Sequence, residues 1–114
     1  MNLTKTSALQ LQWSAFKKQE PNALIAVRLG DFFEFFNADA ETVAKELRLT
    51  LTQRQGVPMA GFHHCAQFGH FGNLLEKGHR VAIVDTVAAQ ATGDTRAPLR
   101  EITEVLLPIG KETK

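Results

Sequence analysis

Ala23-Leu24-Ile25-Ala26-Val27-Arg28-Leu29-Gly30-Asp31-Phe32-Phe33-Glu34-Phe35-Phe36 is the stretch on which the reading of this chain turns. The run 23–29 is apolar but for Arg28 and reads as a strand. Gly30 stands at a bend, where a residue without Cβ lets the backbone turn sharply. The run 32–36 is aromatic and carries one carboxylate, Glu34. In an extended segment alternate side chains share a face, so Phe32, Glu34 and Phe36 point one way and Phe33 and Phe35 the other. One face can be core. The other then offers a ring two residues from a carboxylate, a pairing suited to sliding a ring between bases and hydrogen-bonding the displaced base. The alternative is plain burial, because Phe-rich strands are usually core and a Glu among them is an edge or solvent-side residue.

Outward from this stretch, residues 7–20 read as a helix with Leu9, Trp13 and Phe16 on one stripe and Thr6 or Ser7 as its cap. Pro21-Asn22 stops it. A second helix is expected from Asp39 to Leu47, with Asn37 or Asp39 as N-cap. Arg48–Thr52 alternates and reads as a short strand, and 53–56 as a turn. A third helix is expected over 65–77, burying Phe68, Phe71, Leu74 and Leu75. Gly69 and Gly72 in it either allow close packing or weaken the helix, and Gly78 ends it. Arg80–Val87 is the clearest strand, 88–98 a loop, and Arg100–Leu107 a last strand. Asp31 is expected to cap its turn or to pair with Arg28. Helices and strands alternate, so the class is α/β, a mixed sheet packed by about three helices.

At 114 residues the whole chain, 1–114, reads as one domain. A hydrophobic share of 44% is enough for a core. No apolar run approaches the ~20 residues that span a bilayer, and the start lacks a secretory signal. Cys65 is the one cysteine, which excludes an internal disulfide framework. A cytoplasmic location is expected. Thirteen Lys and Arg against twelve Asp and Glu leave a net charge of +1. Because phosphate contacts supply most non-specific affinity for nucleic acid, any such binding by this chain is expected to be weak.

The sequence around Phe32 resembles the first, mismatch-recognition domain of the MutS family. Arg28-Leu29-Gly30-Asp31-Phe32-Phe33-Glu34-Phe35-Phe36 resembles the family's Gly-Asp-Phe-aromatic-Glu core after an apolar strand. Leu49-Thr50-Leu51-Thr52-Gln53-Arg54 is similar to its Ser-Leu-Thr-Lys-Arg segment, and Val57-Pro58-Met59-Ala60-Gly61 to its Ile-Pro-Met-Ala-Gly turn. Gly78-His79-Arg80-Val81-Ala82-Ile83-Val84-Asp85 is similar to its Gly-x-x-Val-Ala-Ile-x-Glu strand. Each piece alone is weak, but four in register over roughly residues 8–108 are specific.

The resemblance implies a central mixed sheet packed by helices, and double-stranded DNA, mispaired or distorted, as partner. It implies that Phe32 stacks on a mispaired base from the minor groove and that Glu34 hydrogen-bonds that base. Gln53 and Arg54 stand where the family places groups that contact the DNA backbone. Met59 follows a family position near the DNA, or fills core. The chain departs from the family in a shorter loop between Arg54 and Val57. It also has Phe62-His63-His64-Cys65 where the family has Ile-Pro-Tyr-His, losing a helix-start proline.

Other chemistries find little support. Zinc needs three or four converging ligands. His63, His64 and Cys65 are adjacent and are expected to point apart, and His64 and His70 miss helical spacing, so no metal site is expected. Gly56–Gly61 has a Walker-like glycine spacing, but Phe62-His63 stand where Lys and Ser or Thr are required. No catalytic residues and no cofactor are expected. The sequence shows none of the family's connector, lever, clamp or ATPase segments, and a free-standing, diverged homologue is expected rather than an excised domain. The alternative is a non-catalytic protein-interaction module on the same fold, engaging repair proteins or mobile-element machinery without reading mismatches. An enzyme is the reading the residues least support. Neither a membrane nor a small-molecule substrate is expected as partner.

Overall fold

The computed structural model describes residues 8–88 and 99–109. The expected caps Thr6 and Ser7, and the 88–98 loop beyond Ala88, lie outside the described residues. Helix α1 spans Ala8–Gln19, followed by strands β1 (Ala23–Leu29) and β2 (Phe32–Phe36) and helix α2 (Asn37–Leu47). Strands β3 (Thr52–Arg54) and β4 (Val57–His63) come next, then a 3-10 turn at His64–Ala66 and helix α3 (Gln67–Glu76). Strands β5 (Arg80–Ala88) and β6 (Leu99–Leu106) complete the described elements. No helix among the described residues is long and apolar enough to cross a membrane.

The six strands form one sheet in the order β3-β4-β2-β1-β5-β6. β1 runs parallel to β5 and antiparallel to β2, and the remaining pairs are antiparallel. The sheet is therefore mixed, as expected. Both its faces are covered, which explains the near-continuous apolar run of β1. Leu24 and Ala26 join Phe33, Phe35, Ala60, Phe62 and Val81 under α2 and α3, which contribute Ala40, Val43, Phe71 and Leu74. Ala23, Ile25 and Val27 join Phe36, Ala82 and Val84 under α1, which contributes Phe16 and the half-buried Leu9 and Trp13.

Several local expectations are corrected. Arg48 takes a left-handed conformation that ends α2, and no strand covers 48–51. The strand falls at Thr52–Arg54, and the turn shrinks to Gln55-Gly56. Those residues have φ of 53° and 84°, the positive pair that a tight two-residue hairpin demands. Val57–Gly61, read as a turn, belongs to β4, which bridges β3 and β2. Proline is tolerated at position 58 because pairing with β2 begins only at Met59. Phe68 is 85% exposed, not buried. It sits in the first turn of α3, about 120° around the helix from Leu74. A Cβ at Gly69 or Gly72 would meet nothing within 4 Å, so close packing is not their purpose. Arg28 donates to the Gly30 carbonyl at 2.7 Å rather than pairing with Asp31.

Asp39 is not an N-cap either. α2 begins at Asn37, and no side chain caps its start. Asp39 is 4% exposed and joins three elements. One carboxylate oxygen accepts the Ile25 N–H of β1 at 3.0 Å, and the other accepts Lys17 Nζ of α1 at 2.8 Å. Lys17 also donates to the Ala23 carbonyl at 2.7 Å. The register between β1 and β2 covers Val27 to Leu29 only. Asp39 thus takes the place of a strand partner where β2 turns away into α2. Asp39→Ala leaves the Ile25 amide and the Lys17 ammonium without that acceptor. Urea denaturation is expected to show a loss of about 3 kcal/mol, with Asp39→Asn, still an acceptor, losing less.

Candidate nucleic-acid interface

The alternation of β2 that buries Phe33 and Phe35 turns Phe32, Glu34 and Phe36 to the α1 side of the sheet. Phe36 is fully buried there, Glu34 is 8% exposed and Phe32 is 46% exposed. The helical cover therefore gives out along the strand, from Phe36 towards Phe32. On β4 the residues opposite Phe32, Glu34 and Phe36 are His63, Gly61 and Met59. The Phe32 ring meets the His63 ring edge-on at 5.5 Å. A pocket of about 290 Å³ opens here, lined by Phe32, Glu34, Thr50, Thr52, Met59 and Gly61.

Gly61 is a condition of this geometry. A Cβ at that position would lie 2.5 Å from the Phe33 carbonyl oxygen and 3.1 Å from Glu34 Cγ. With no side chain there, Glu34 lies close against β4 and Arg54 reaches across from the far side of that strand. One guanidinium nitrogen of Arg54, Nη1, donates to both Glu34 carboxylate oxygens, at 3.1 and 3.3 Å. Arg54 is itself partly exposed, on the edge strand β3. Burial pushes the Glu34 carboxyl above the usual carboxylate range, and the Arg54 charge and hydrogen bond pull it partly back. Ionised, the group only accepts hydrogen bonds; protonated, it also donates, and burial makes that second form easier to reach than in a free carboxylate.

Four of the five candidate residues converge. Phe32, Glu34 and Met59 line the pocket, and Arg54 is held to it by Glu34. Met59 also packs against the cluster around Phe36, so one side chain both lines the pocket and fills core. Gln53 does not join them, because strand alternation turns it to the opposite face from Thr52 and Arg54. Thr50, Thr52 and Gly61 were missed in the sequence. A glycine between Ala60 and Phe62 was the available signal, since glycine inside a strand marks a close approach. The expectation that His63, His64 and Cys65 point apart also fails. The ligating atoms of all three lie within 4.8 Å of one another.

The Glu34 titration has a definite sign. Its folded-state pKa is raised, so the stability it favours is full in acid and is lost as pH rises through that value. Removing Arg54 raises that pKa further and makes the charged form costlier. Arg54→Ala should therefore destabilise the fold by about 1 kcal/mol at neutral pH, a value kept small by the exposure of Arg54. The loss should vanish as pH falls below the raised Glu34 pKa, where the carboxyl is protonated with or without Arg54. Thermal melts of both proteins across this range check it.

The sequence profile of MutS domain I matches residues 7–108. Proteins named DNA mismatch repair protein MutS are similar over nearly the same span. Identity is 43% over 108 residues with that of Solibacter usitatus and 38% over 109 residues with that of Thermosipho melanesiensis. It is 44% over 103 residues with that of Pelotomaculum thermopropionicum. The alignments cover 90%, 94% and 85% of this chain, and 12%, 13% and 12% of those relatives. The chain thus spans only a small part of their length. The matched span contains every described strand of the sheet and the helices on both its faces, and the chain belongs to the MutS domain I family.

Proposed function

We propose that this chain is a DNA-binding module of mismatch repair that engages mispaired or distorted duplex through Phe32 and Glu34. The observation that carries this reading is their position. A half-exposed ring and a nearly buried carboxylate line one pocket at the uncovered end of β2. The names of the relatives support it. Phe32 enters a base step from the minor groove and unstacks it, kinking the duplex. Unstacking is least costly at a mispair, so deformability rather than base identity provides the selection. Glu34 accepts from a base N–H when ionised and donates to a purine ring nitrogen when protonated. At a normal pair it meets no partner and only the repulsion of phosphates.

Arg54 serves both partners in this reading. Its hydrogen bonds to Glu34 use one nitrogen, and no other partner binds it among the described residues. The remaining N–H groups are free to meet a phosphate. A phosphate that draws Arg54 away releases the carboxylate to its burial, which favours the protonated donor. The reading assigns binding, not catalysis, to this chain.

Phe32→Ala should cut the preference for mispaired over matched duplex by roughly tenfold or more, the worth of one base–aromatic stack. The fold should be retained, because nearly half of Phe32 is already exposed. Fluorescence anisotropy with matched and G·T duplexes measures the preference. A collapse of thermal stability instead would make Phe32 a core residue and sink the site.

The same titrations at several salt concentrations should show micromolar or weaker affinity with a shallow salt slope, because a chain of net charge +1 neutralises few phosphates. Nanomolar, steeply salt-dependent binding would contradict that surface.

A further inference from the structure

We propose that His63, His64 and Cys65 form a binding site for a borderline-soft divalent cation of the zinc class. The site rests on backbone geometry that sequence spacing hides. His63 is the last residue of β4, with φ −68° and ψ 143°. The chain then turns at once into a 3-10 turn. This reversal folds Cys65 back, so that its N–H donates to Nδ1 of His63 at 3.1 Å. The His63 and His64 rings stack with centroids 4.6 Å apart and 28° between their planes. Two imidazoles and a thiol are thereby gathered with their ligating atoms within 4.8 Å of one another.

A tetrahedral zinc-class ion bound to nitrogen at about 2.0–2.1 Å and sulfur at about 2.3 Å needs its ligand atoms somewhat closer than this. The closure is achieved by side-chain rotation. His63 and Cys65 are exposed and His64 is half-buried, so the rotations disturb no core packing. The exposed Cys65 N–H bond to His63 is given up to water when that ring turns to the metal. The thiol proton leaves to solvent as the thiolate binds. Imidazole and thiolate select the zinc class over magnesium or calcium, which take oxygen ligands. Three protein ligands leave a fourth position for water or another donor. The site lies beside Phe32, whose ring contacts His63. A bound cation would add positive charge to the rim of the pocket in a chain that is nearly neutral overall.

Cobalt(II) titration of the purified full chain tests this without DNA, so its outcome is independent of the mismatch-binding reading. The expected result is a thiolate-to-cobalt charge-transfer band in the near ultraviolet, with intense visible bands of tetrahedral cobalt. Both saturate at one cobalt per chain and are bleached by added zinc. Cys65→Ser should abolish the near-ultraviolet band. His63→Ala and His64→Ala should each weaken affinity by more than about tenfold, the lower range for disturbing even the groups behind a ligand. His70→Ala should change nothing, because His70 packs on Phe62 outside the cluster. The proposal is overturned by the absence of a thiolate band. It is equally overturned by a band indifferent to both histidine substitutions, or by saturation at half a cobalt per chain with elution as a dimer.

Discussion

Burial of the central strands on both faces is the constraint from which the rest of this structure follows. β1 lies between β2 and β5, with α1 above it and α2 and α3 below. Every residue from Ala23 to Val27 is therefore core, whichever way it points. A strand so enclosed cannot carry a solvent-facing site. β2 can, because α1 covers only part of its length. Phe36 and Phe32 share one face of one strand, yet the first is fully buried and the second half-exposed. The candidate site is the place where the helical layer ends before the sheet does.

Enclosure also creates a backbone problem, which Asp39 solves. Where β2 leaves the sheet for α2, the Ile25 N–H loses its strand partner, and an unpaired buried amide is costly. The Asp39 carboxylate takes that role and is itself balanced by Lys17 from the opposite layer. One side chain thus ties α1, β1 and α2 together around the departure of β2. The acidic residue that local pattern assigns to a helix cap is used for tertiary closure instead.

At the site the same low-dielectric setting works on Glu34. Its carboxylate is close to buried, which disfavours charge, and one half-exposed arginine offsets part of that penalty. The pair crosses an intervening strand beside Gly61, where a side chain would press on the Phe33 carbonyl oxygen and on Glu34. Desolvation and a single cation together set the proton affinity of the group, and neither is a property of Glu34 itself. A partner that competes for Arg54 would shift the balance towards the protonated acid.

The sequence by itself determined the α/β class, the three helices, the strands at 23–29, 32–36 and 80–87, and the facing of each residue on β2. These follow from hydrophobic periodicity, which is local and needs no knowledge of neighbours. Family resemblance added Phe32, Glu34, Arg54 and Met59 to one region. What local pattern could not supply was β4. Its Pro58 and Gly61 read as breakers, and they are tolerated because of where β2 and β3 lie against it. Nor could spacing reveal that Gln53 faces away, that Phe68 is left uncovered, or that three adjacent residues, His63 to Cys65, turn towards one another. Each of these depends on the position of a second element or on a chain reversal. Tertiary structure decided them because exposure and convergence are relations between segments, whereas periodicity is a relation within one.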